Sequence, residues 1–285
     1  MTKICRKTGV ASALVGRVTG SISELSSDEL SVEEPLEIRL AAHSADTGPT
    51  SVAVTLRTPG HDADLAAGFL FTEGIIAGAA DIEGIRRAGV NAAEVQLRPG
   101  VALDPTRLDR HSFVSSSCGA CGKRSIAVVR VASRHPITPG VPRLSPEVIH
   151  GLPRALRTGQ SAFARTGGIH ASGLFAADGR LLALREDVGR HNALDKLIGS
   201  ELLAGRIPLS FGIVLVSGRV SFELVQKAAI AGVPVLGAVG APSSLAVDLA
   251  RECGMTLLGF VRDARFNVYS DSGRIVPADT LTHSA

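Results

Sequence analysis

The sequence of 285 residues has no tryptophan, a single tyrosine and only four cysteines. Aromatic side chains this scarce argue against a surface on which nucleic-acid bases stack. The formal net charge of +3 is also too small an excess of basic residues for a nucleic-acid-binding groove. Four cysteines in a chain of this length do not form a disulfide framework, and no apolar run is long enough to span a membrane. We therefore expect a cytoplasmic protein with reduced thiols and with neither a nucleic-acid nor a membrane partner.

Changes in composition along the chain predict four segments. Residues 1–23 contain four basic side chains and no acidic one, and we expect them to form a loose N-terminal tail. Residues 24–135 mix short strand-like and helical runs, which predicts a small α+β domain that includes Cys118 and Cys121. Proline, which interrupts both helices and strands, recurs within residues 136–144 and predicts a linker. Residues 145–285 then form the second domain.

The second domain has a clear alternation of helices and strands. Short apolar runs over residues 211–216, 233–239 and 256–261 are typical of buried strands, with helices predicted between them. A further helix should begin after Ser145, because Pro146 is typical of a first helical position. In the first half, Asp62 is predicted to cap a helix. We expect an α/β fold: a three-layer C-terminal domain with a mixed, largely parallel sheet, plus a smaller N-terminal α+β domain.

Three loops that follow the predicted parallel strands carry groups suited to phosphate. The groups are Ser217 and Arg219 in the first loop, Ser243 in the second, and Arg262 and Arg265 in the third. The carboxyl ends of parallel strands meet at one edge of a sheet, and arginines and helix-start amides bind phosphate. Any one of these loops alone is better explained as a simple turn, such as a strand-to-helix turn with a serine cap in the second loop. The three loops in register together predict a nucleotide or pyrophosphate site. No Walker loop or complete dinucleotide fingerprint is present, which argues against an ordinary ATPase or NAD enzyme.

Residues 115–124, with the letters SSSCGACGKR, hold the two thiols Cys118 and Cys121. The neighbouring Lys123 and Arg124 favour the thiolate, which is the form that attacks sulfur, and the second thiol could resolve a sulfur-loaded intermediate. A zinc site would need two further ligands, and a thioredoxin-like dithiol would need a helix that begins at the pair. A thiol pair without chemistry fits poorly with such a polar, glycine-rich setting. We expect sulfur chemistry at this pair and no bound metal.

Seven segments, in order along nearly the whole chain, carry a resemblance to a known family. They are residues 33–38 (EEPLEI), 68–76 (GFLFTEGII), 117–122 (SCGACG), 166–170 (TGGIH), 185–196 (REDVGRHNALDK), 217–219 (SGR) and 259–262 (GFVR). Through these segments the chain resembles the FdhD family, the sulfurtransferase accessory proteins of formate dehydrogenases. The resemblance extends from about Ser31 to the last dozen residues.

The resemblance implies that the protein takes sulfur from a cysteine desulfurase as a persulfide on Cys118. It also implies transfer of this sulfur to a guanine nucleotide cofactor, the molybdenum (or tungsten) bis(molybdopterin guanine dinucleotide), which formate dehydrogenase requires. The family's cofactor-binding stretch corresponds to Phe260, Val261, Arg262, Asp263, Ala264 and Arg265. We expect that the protein can form a homodimer. The alternative function is a non-catalytic module that escorts the cofactor, with the thiols only holding it.

The C-terminal domain of the family resembles the cytidine deaminase fold, but deaminase chemistry is not supported by these residues. That chemistry needs His-x-Glu and a downstream Pro-Cys-x-x-Cys, whereas this chain has His170-Ala171-Ser172 and no later Cys-x-x-Cys. His191, at a predicted helix start, is a further candidate for the cofactor site. The charge-rich residues 185–196 around it could equally be a solvated helix entrance.

Overall fold

The computed structural model of the protein describes residues 5–7, 9–41, 48–101 and 135–277. Cys118 and Cys121 lie outside these residues. The α/β class predicted from the sequence is confirmed, since helices and mixed sheets alternate along the chain.

Two sheets form the N-terminal half of the chain. The first has three antiparallel strands, and the second has four strands in the order β5-β4-β7-β6. A helix, α1 (Asp62–Thr72), and a short 3-10 turn (Ala79–Asp81) connect β5 to β6. The strands are β1 (Cys5–Lys7), β2 (Val10–Thr19), β3 (Ile22–Ser31), β4 (Glu34–Ala41), β5 (Thr50–Arg57), β6 (Ile82–Arg87) and β7 (Ala92–Leu97).

The loose tail predicted for residues 1–23 is wrong for the described part of that segment, which contains strands β1 and β2. Strand β2 pairs with β3 in antiparallel fashion from Val10 opposite Ser31 to Thr19 opposite Ile22. A two-residue turn joins them, and its Gly20 has a φ of 62°, a left-handed conformation that glycine adopts without steric cost. The absence of acidic residues does not indicate whether a segment pairs with another strand. The β-branched residues of this segment favour a strand.

The start of α1 also differs from the prediction. Asp62 is the first helical residue, and the cap position belongs to His61, which has a φ of 57° and makes no side-chain cap hydrogen bond. The Asp62 carboxylate instead accepts hydrogen bonds from Arg57, at 2.9 Å from Nε and 3.0 Å from Nη2. Arg57 is 1% exposed, so its charge requires this partner.

The C-terminal half is built on a six-stranded mixed sheet in the order β13-β12-β11-β10-β8-β9. Strands β10, β11 and β12 are mutually parallel, as the apolar runs predicted, and the flanking pairs are antiparallel. The strands are β8 (His170–Phe175), β9 (Leu181–Asp187), β10 (Ile213–Val216), β11 (Val235–Ala238), β12 (Thr256–Arg262) and β13 (Arg265–Ser270).

Helices cover both faces of this sheet and complete the three layers. On one face α2 packs through residues such as Leu152 against Phe175 and Leu215. On the other face, residues of α4, α5 and α6 share a core cluster with Val214 and with the N-terminal sheet. The helices are α2 (Pro146–Gly159), α3 (Ser161–Thr166), α4 (Arg190–Leu203), α5 (Phe222–Ile230) and α6 (Ser244–Glu252).

The predicted start of α2 is confirmed. The Ser145 side chain accepts a hydrogen bond from the Val148 amide at 3.4 Å, and Pro146 occupies the first helical position, where a missing N–H costs nothing.

The two halves meet where α1 crosses α4 with their backbones almost in contact. A Cβ atom added to Gly68 would lie 1.9 Å from the Asp195 carbonyl oxygen, and one added to Gly199 would lie 1.8 Å from the Asp64 carbonyl oxygen. Only glycine can occupy such positions. The crossing lets the apolar residues of both halves join one cluster.

Residues 136–144, predicted as a linker, are held to the C-terminal half by a buried arginine. Arg274 is 0% exposed and donates to the carbonyl oxygens of Thr138 at 2.6 Å, Val141 at 2.7 Å and Gly254 at 2.9 Å. Burial lowers the pKa of Arg274, and these carbonyl oxygens solvate the charge in place of water.

Candidate functional site

A cavity of about 830 Å³ opens at the edge of the sheet where β10, β11 and β12 end. Ser217 and Val239, which directly follow β10 and β11, and Arg262, the last residue of β12, line it. This is the edge at which parallel strands place ligands, and the sequence predicted a site there. The structure therefore brings together Ser217 and the five residues from Val261 to Arg265.

The turn between β12 and β13 forms the cationic wall of the cavity. Arg262 pairs with Arg265 across this turn, and Asp263 and Ala264 lie at its tip. Nη1 of Arg262 donates to the carbonyl oxygens of Val239 at 2.7 Å and Val261 at 3.0 Å. Within the described ranges neither arginine forms an ion pair, so both guanidinium charges are available to an anion.

The opposite wall comes from the end of α2, from α3 and from the turn after it. The guanidinium carbon of Arg157 lies 3.8 Å from the ring centroid of Phe163, and both residues line the cavity. Glu186 of β9 fixes α3 by accepting from the backbone amides of Ala162 at 3.0 Å and Phe163 at 2.9 Å. A carboxylate at the first turn of a helix satisfies amides that otherwise lack partners.

Gln160 joins α2 to α3 in this same wall and is 4% exposed. Its side-chain nitrogen, Nε2, is buried and has no hydrogen-bond partner among the residues that the structure describes. Buried amides in folded proteins are nearly always hydrogen-bonded.

His170, at the start of β8, closes the inner end of the cavity. Burial lowers the pKa of His170, and the nearby charge of Arg190 lowers it further. The imidazole is therefore neutral at pH 7 and adds a hydrogen-bonding group rather than a charge.

Four of the predicted site residues lie outside the cavity wall. Ser243 accepts from the Ala246 amide at 3.4 Å and caps α6, which is the simpler of the two roles considered for its loop. Phe260 has a φ of 52°, and its amide donates to the Gly240 carbonyl oxygen at 3.0 Å. Arg219 is exposed, while His191 is largely buried and does not line the cavity.

Residues 185–196 are a buried clamp and not a solvated helix entrance. Asp187 is 0% exposed and lies 2.7 Å from the ammonium group of Lys196, which is 1% exposed. Asp187 also accepts from the Thr58 amide at 3.1 Å, and Lys196 donates to the Thr58 carbonyl oxygen at 2.8 Å. Asn192 donates to the Leu56 carbonyl oxygen at 2.7 Å. These charges therefore fasten the end of β5 to α4.

A second buried cluster joins α1, α4 and α5. The ammonium group of Lys227 lies 3.0 Å from Asp195, 3.1 Å from Glu73 and 2.9 Å from the hydroxyl of Thr72. Thr72 in turn donates to Asp195 at 2.8 Å. Burial alone would lower the pKa of Lys227, but the two carboxylates outweigh it, so the pKa is raised and the lysine remains charged.

His191, in the first turn of α4, contacts the start of α5. Its Nε2 is 3.1 Å from Ser221 Oγ and 3.1 Å from Glu223 Oε2. A carboxylate beside histidine ordinarily raises its pKa, yet burial, helped by Arg190 and Lys227, lowers the pKa of His191 to about 3. His191 is therefore a neutral structural group at pH 7.

A profile of the FdhD/NarQ family matches residues 31–276. The chain belongs to this family. It is 51% identical over 259 residues to the sulfur carrier protein FdhD of Streptomyces avermitilis, a match that covers 87% of this chain and 89% of the relative. It is 44% identical over 290 residues to the sulfur carrier protein FdhD of Anaeromyxobacter dehalogenans, covering 96% of this chain and 98% of the relative.

A solved structure supports the same assignment. The fold matches the crystal structure of a proposed formate dehydrogenase accessory protein from Desulfotalea psychrophila, with a TM-score of 0.69 and 25% identity. The match covers 94% of this chain and 99% of that chain. None of the helices in the described ranges is both long and apolar enough to cross a bilayer.

The FdhD/NarQ match includes both walls of the cavity, yet sequence reasoning found only the cationic one. Arg157, Gln160 and Phe163 were missed because a single glutamine or phenylalanine in a helical run has no local signature. The adjacent Gly167-Gly168, which also lines the cavity, was the available signal, since paired glycines allow close approach of a ligand to the backbone.

Proposed function

We propose that this FdhD-family protein is a sulfurtransferase for a nucleotide-bearing cofactor. It accepts sulfur from a cysteine desulfurase as a persulfide on Cys118 and delivers it to Mo-bis(molybdopterin guanine dinucleotide), or to the tungsten form, for formate dehydrogenase. The molybdenum and tungsten forms of the cofactor are substrates that the protein binds transiently. The observation that carries the proposal is the cavity at the carboxyl ends of β10–β12, with two arginines on one wall that form no ion pair with any residue the structure describes.

The geometry suits a nucleotide better than a small metabolite. Arg262 and Arg265 present guanidinium groups from a short, fixed turn, and guanidinium groups bind phosphate oxygens bidentately. The cavity volume of about 830 Å³ lies within the range of cofactor-sized sites. The opposite wall is flat and partly aromatic, as a base requires.

The sulfur steps follow thiol–disulfide exchange. The Cys118 thiolate attacks the outer sulfur of the desulfurase persulfide, takes that sulfur atom and releases the desulfurase thiolate. Attack of the Cys121 thiolate on the Cys118 sulfur then releases the outer sulfur as hydrosulfide at the cofactor. This second step leaves a Cys118–Cys121 disulfide, so the thiol pair supplies the two electrons, and an external dithiol must later reduce it.

The sulfur-transfer proposal is tested by mass spectrometry after incubation with a cysteine desulfurase and cysteine. The wild-type chain should gain one sulfur atom, Cys118→Ala should gain none, and Cys121→Ala should be loaded but should fail to activate formate dehydrogenase. Cys253→Ala is the matched control, because this partly buried thiol follows α6 outside the cavity wall and should be dispensable for sulfur transfer.

The outcomes separate the proposal from its alternative. A wild-type protein that gains no sulfur yet still activates formate dehydrogenase would be a non-catalytic escort of the cofactor. Equal loading defects in Cys118→Ala and Cys121→Ala would contradict the division of roles between the two thiols.

The nucleotide part of the proposal is tested by calorimetry with GDP, a fragment of the cofactor. Loss of one charge-assisted contact in Arg262→Ala should weaken binding by roughly ten- to a hundredfold. Arg180→Ala is the control, because Arg180 is an exposed arginine at the opposite end of β8. This variant should bind GDP with the same affinity as the wild type. Equal GDP affinity in wild type and Arg262→Ala would place the binding site elsewhere.

A further inference from the structure

The hairpin of β2 and β3 extends beyond the core of the N-terminal half. Its inner end is buried at Val10, whereas Leu14, Val18 and Leu25 are 52%, 68% and 77% exposed. Strand β1 pairs with only the first three residues of β2, and no strand of the described ranges pairs with the outer edge of β3. We call residues 14–27 the arm. An isolated two-stranded hairpin is only marginally stable in water, so a surface that covers one face of the arm would stabilise it.

The two faces of the arm differ in charge. Residues that pair directly across the strands lie on the same face, and successive residues alternate between the faces. One face carries Leu14, Val18 and Leu25 together with glycine and serine, and it has no charged residue from Leu14 outward. The opposite face carries Arg17 directly opposite Glu24. We call the uncharged face, defined by Leu14, Val18 and Leu25, the apolar arm face.

The inner end of the hairpin is fastened to the wall of the cavity. The Glu29 carboxylate accepts from Arg165 Nε at 2.9 Å, and the Ser31 hydroxyl lies 2.7 Å from the Thr166 hydroxyl. Arg165 and Thr166 are the last two residues of α3, and Gly167 directly after them lines the cavity. The arm is therefore joined to the cavity wall through α3.

The size of the apolar arm face limits what can bind it. Each strand contributes six residues to the arm, at about 3.3 Å per residue, and two strands that each occupy about 5 Å give a face of roughly 200 Å². A stable dimer buries about 800 Å² per partner. The apolar arm face is thus too small to hold a second copy by itself. It suits a partner that binds transiently and makes further contacts beside the cavity.

We propose that the apolar arm face docks the protein that receives the sulfurated cofactor, which is the formate dehydrogenase. A receiving protein must reach the cofactor at the cavity, and the arm is joined to the wall of that cavity, so one encounter can include both. A face without charge does not suit a phosphate-bearing ligand and fits an apolar protein surface.

Two further points define this partner. The acidic Glu24 and Asp28 on the opposite face of the hairpin argue against an anionic lipid surface as the occupant. The inference rests on the function proposed above and specifies where the recipient binds.

The test measures binding of cofactor-free formate dehydrogenase to the full chain by calorimetry. Leu25→Thr should weaken this binding by roughly tenfold or more, because threonine favours a strand but removes apolar area from the contact. Leu14→Thr provides a second variant on the same face. Ile22→Thr is the matched control, since Ile22 is 70% exposed but lies on the opposite face, where it pairs with Thr19.

Two other measurements separate docking from the remaining steps. Sulfur loading of Cys118 and GDP affinity should stay at the wild-type level in all three variants, because none of the three positions lines the cavity. Activation of formate dehydrogenase by a low concentration of the chain should fall in Leu25→Thr and Leu14→Thr. It should recover at a high concentration, as expected when a contact is weakened and the chemistry is intact.

Each outcome decides the proposal. Wild-type affinity for formate dehydrogenase in Leu25→Thr and Leu14→Thr would overturn this inference and leave the proposed function intact, and so would an equal loss in Ile22→Thr. A dimeric wild type that becomes monomeric in Leu25→Thr would assign the face to a second copy, and lost sulfur loading would assign it to the desulfurase; either result contradicts the proposal. A wild-type chain that neither gains sulfur nor activates formate dehydrogenase would overturn the proposed function itself.

Discussion

The clamp between the two halves and the wall of the cavity both contain buried or partly buried polar groups, but their hydrogen bonding differs. In the clamp, Lys196 and Lys227 each contact a carboxylate within 3.0 Å and a further oxygen. At the cavity, Arg262 binds only carbonyl oxygens, and Gln160 Nε2 has no partner in the described ranges. The contrast teaches that carboxylates neutralise the buried lysines that hold the two halves together, whereas the arginines of the cavity wall keep a charge that no carboxylate of the described residues neutralises.

The largest effect should come from breaking the satisfied cluster. Lys227→Met leaves Asp195 and Glu73 facing each other in a buried site, and removal of one partner of a buried pair costs about 3–5 kcal/mol in the free energy of unfolding. Urea unfolding measures this loss in the free energy of unfolding. Arg165→Met, which removes a half-exposed pair with Glu29, should cost less than about 1 kcal/mol. Similar losses in the two variants would contradict the distinction.

The helix crossing beneath the clamp gives the next largest effect. Gly68→Ala places a methyl group against the Asp195 carbonyl oxygen and should destabilise the protein by about 1–3 kcal/mol or more. Gly151→Ala is a matched control in the exposed surface of α2, where an added Cβ meets nothing within 4 Å. It should stabilise by about 0.5–1 kcal/mol, because alanine favours helices. Equal melting temperatures for the two variants would be inconsistent with the close crossing.

A smaller, pH-dependent effect should come from His191, which contacts Ser221 and Glu223. Burial lowers its pKa from an ordinary 6.5 to about 3, so the unfolded chain binds this proton more readily than the folded one. Stability is therefore complete above pH 6.5 and falls as the pH decreases toward 3, by at most about 1.4 kcal/mol per pH unit. His191→Gln should reduce the slope between pH 6.5 and 5.5 in urea unfolding. An unchanged slope would mean that other titratable groups cause the dependence of the free energy of unfolding on pH.

Local signals in the sequence predicted the parts of the fold that depend on local interactions. The Ser145-Pro146 start of α2 and the three parallel strands follow from capping and from short apolar runs. The rule for the carboxyl ends of strands then placed Ser217 and the Arg262–Arg265 turn at one cavity.

Interactions between distant residues could not be read in this way. The charges of residues 185–196 have the composition of a solvated helix entrance, and only the partner Thr58, 138 positions from Lys196, shows that they are buried. The composition of residues 1–23 predicts a tail, whereas strand β2 is defined by its partner β3 and by the pairing register. The position of Gln160 in the cavity wall likewise depends on how α2 and α3 pack, which its sequence neighbours do not indicate.

The hydrogen bonds of Arg274 have a consequence for the way in which the C-terminal half unfolds. They fix the carbonyl groups of Thr138 and Val141 to the half of the protein that bears the cavity. The same guanidinium group donates to the Gly254 carbonyl oxygen, so one buried side chain connects three segments that are far apart in the sequence. Local opening of any one of them breaks contacts of the other two, and we expect the three segments to exchange their amide hydrogens as a single cooperative unit.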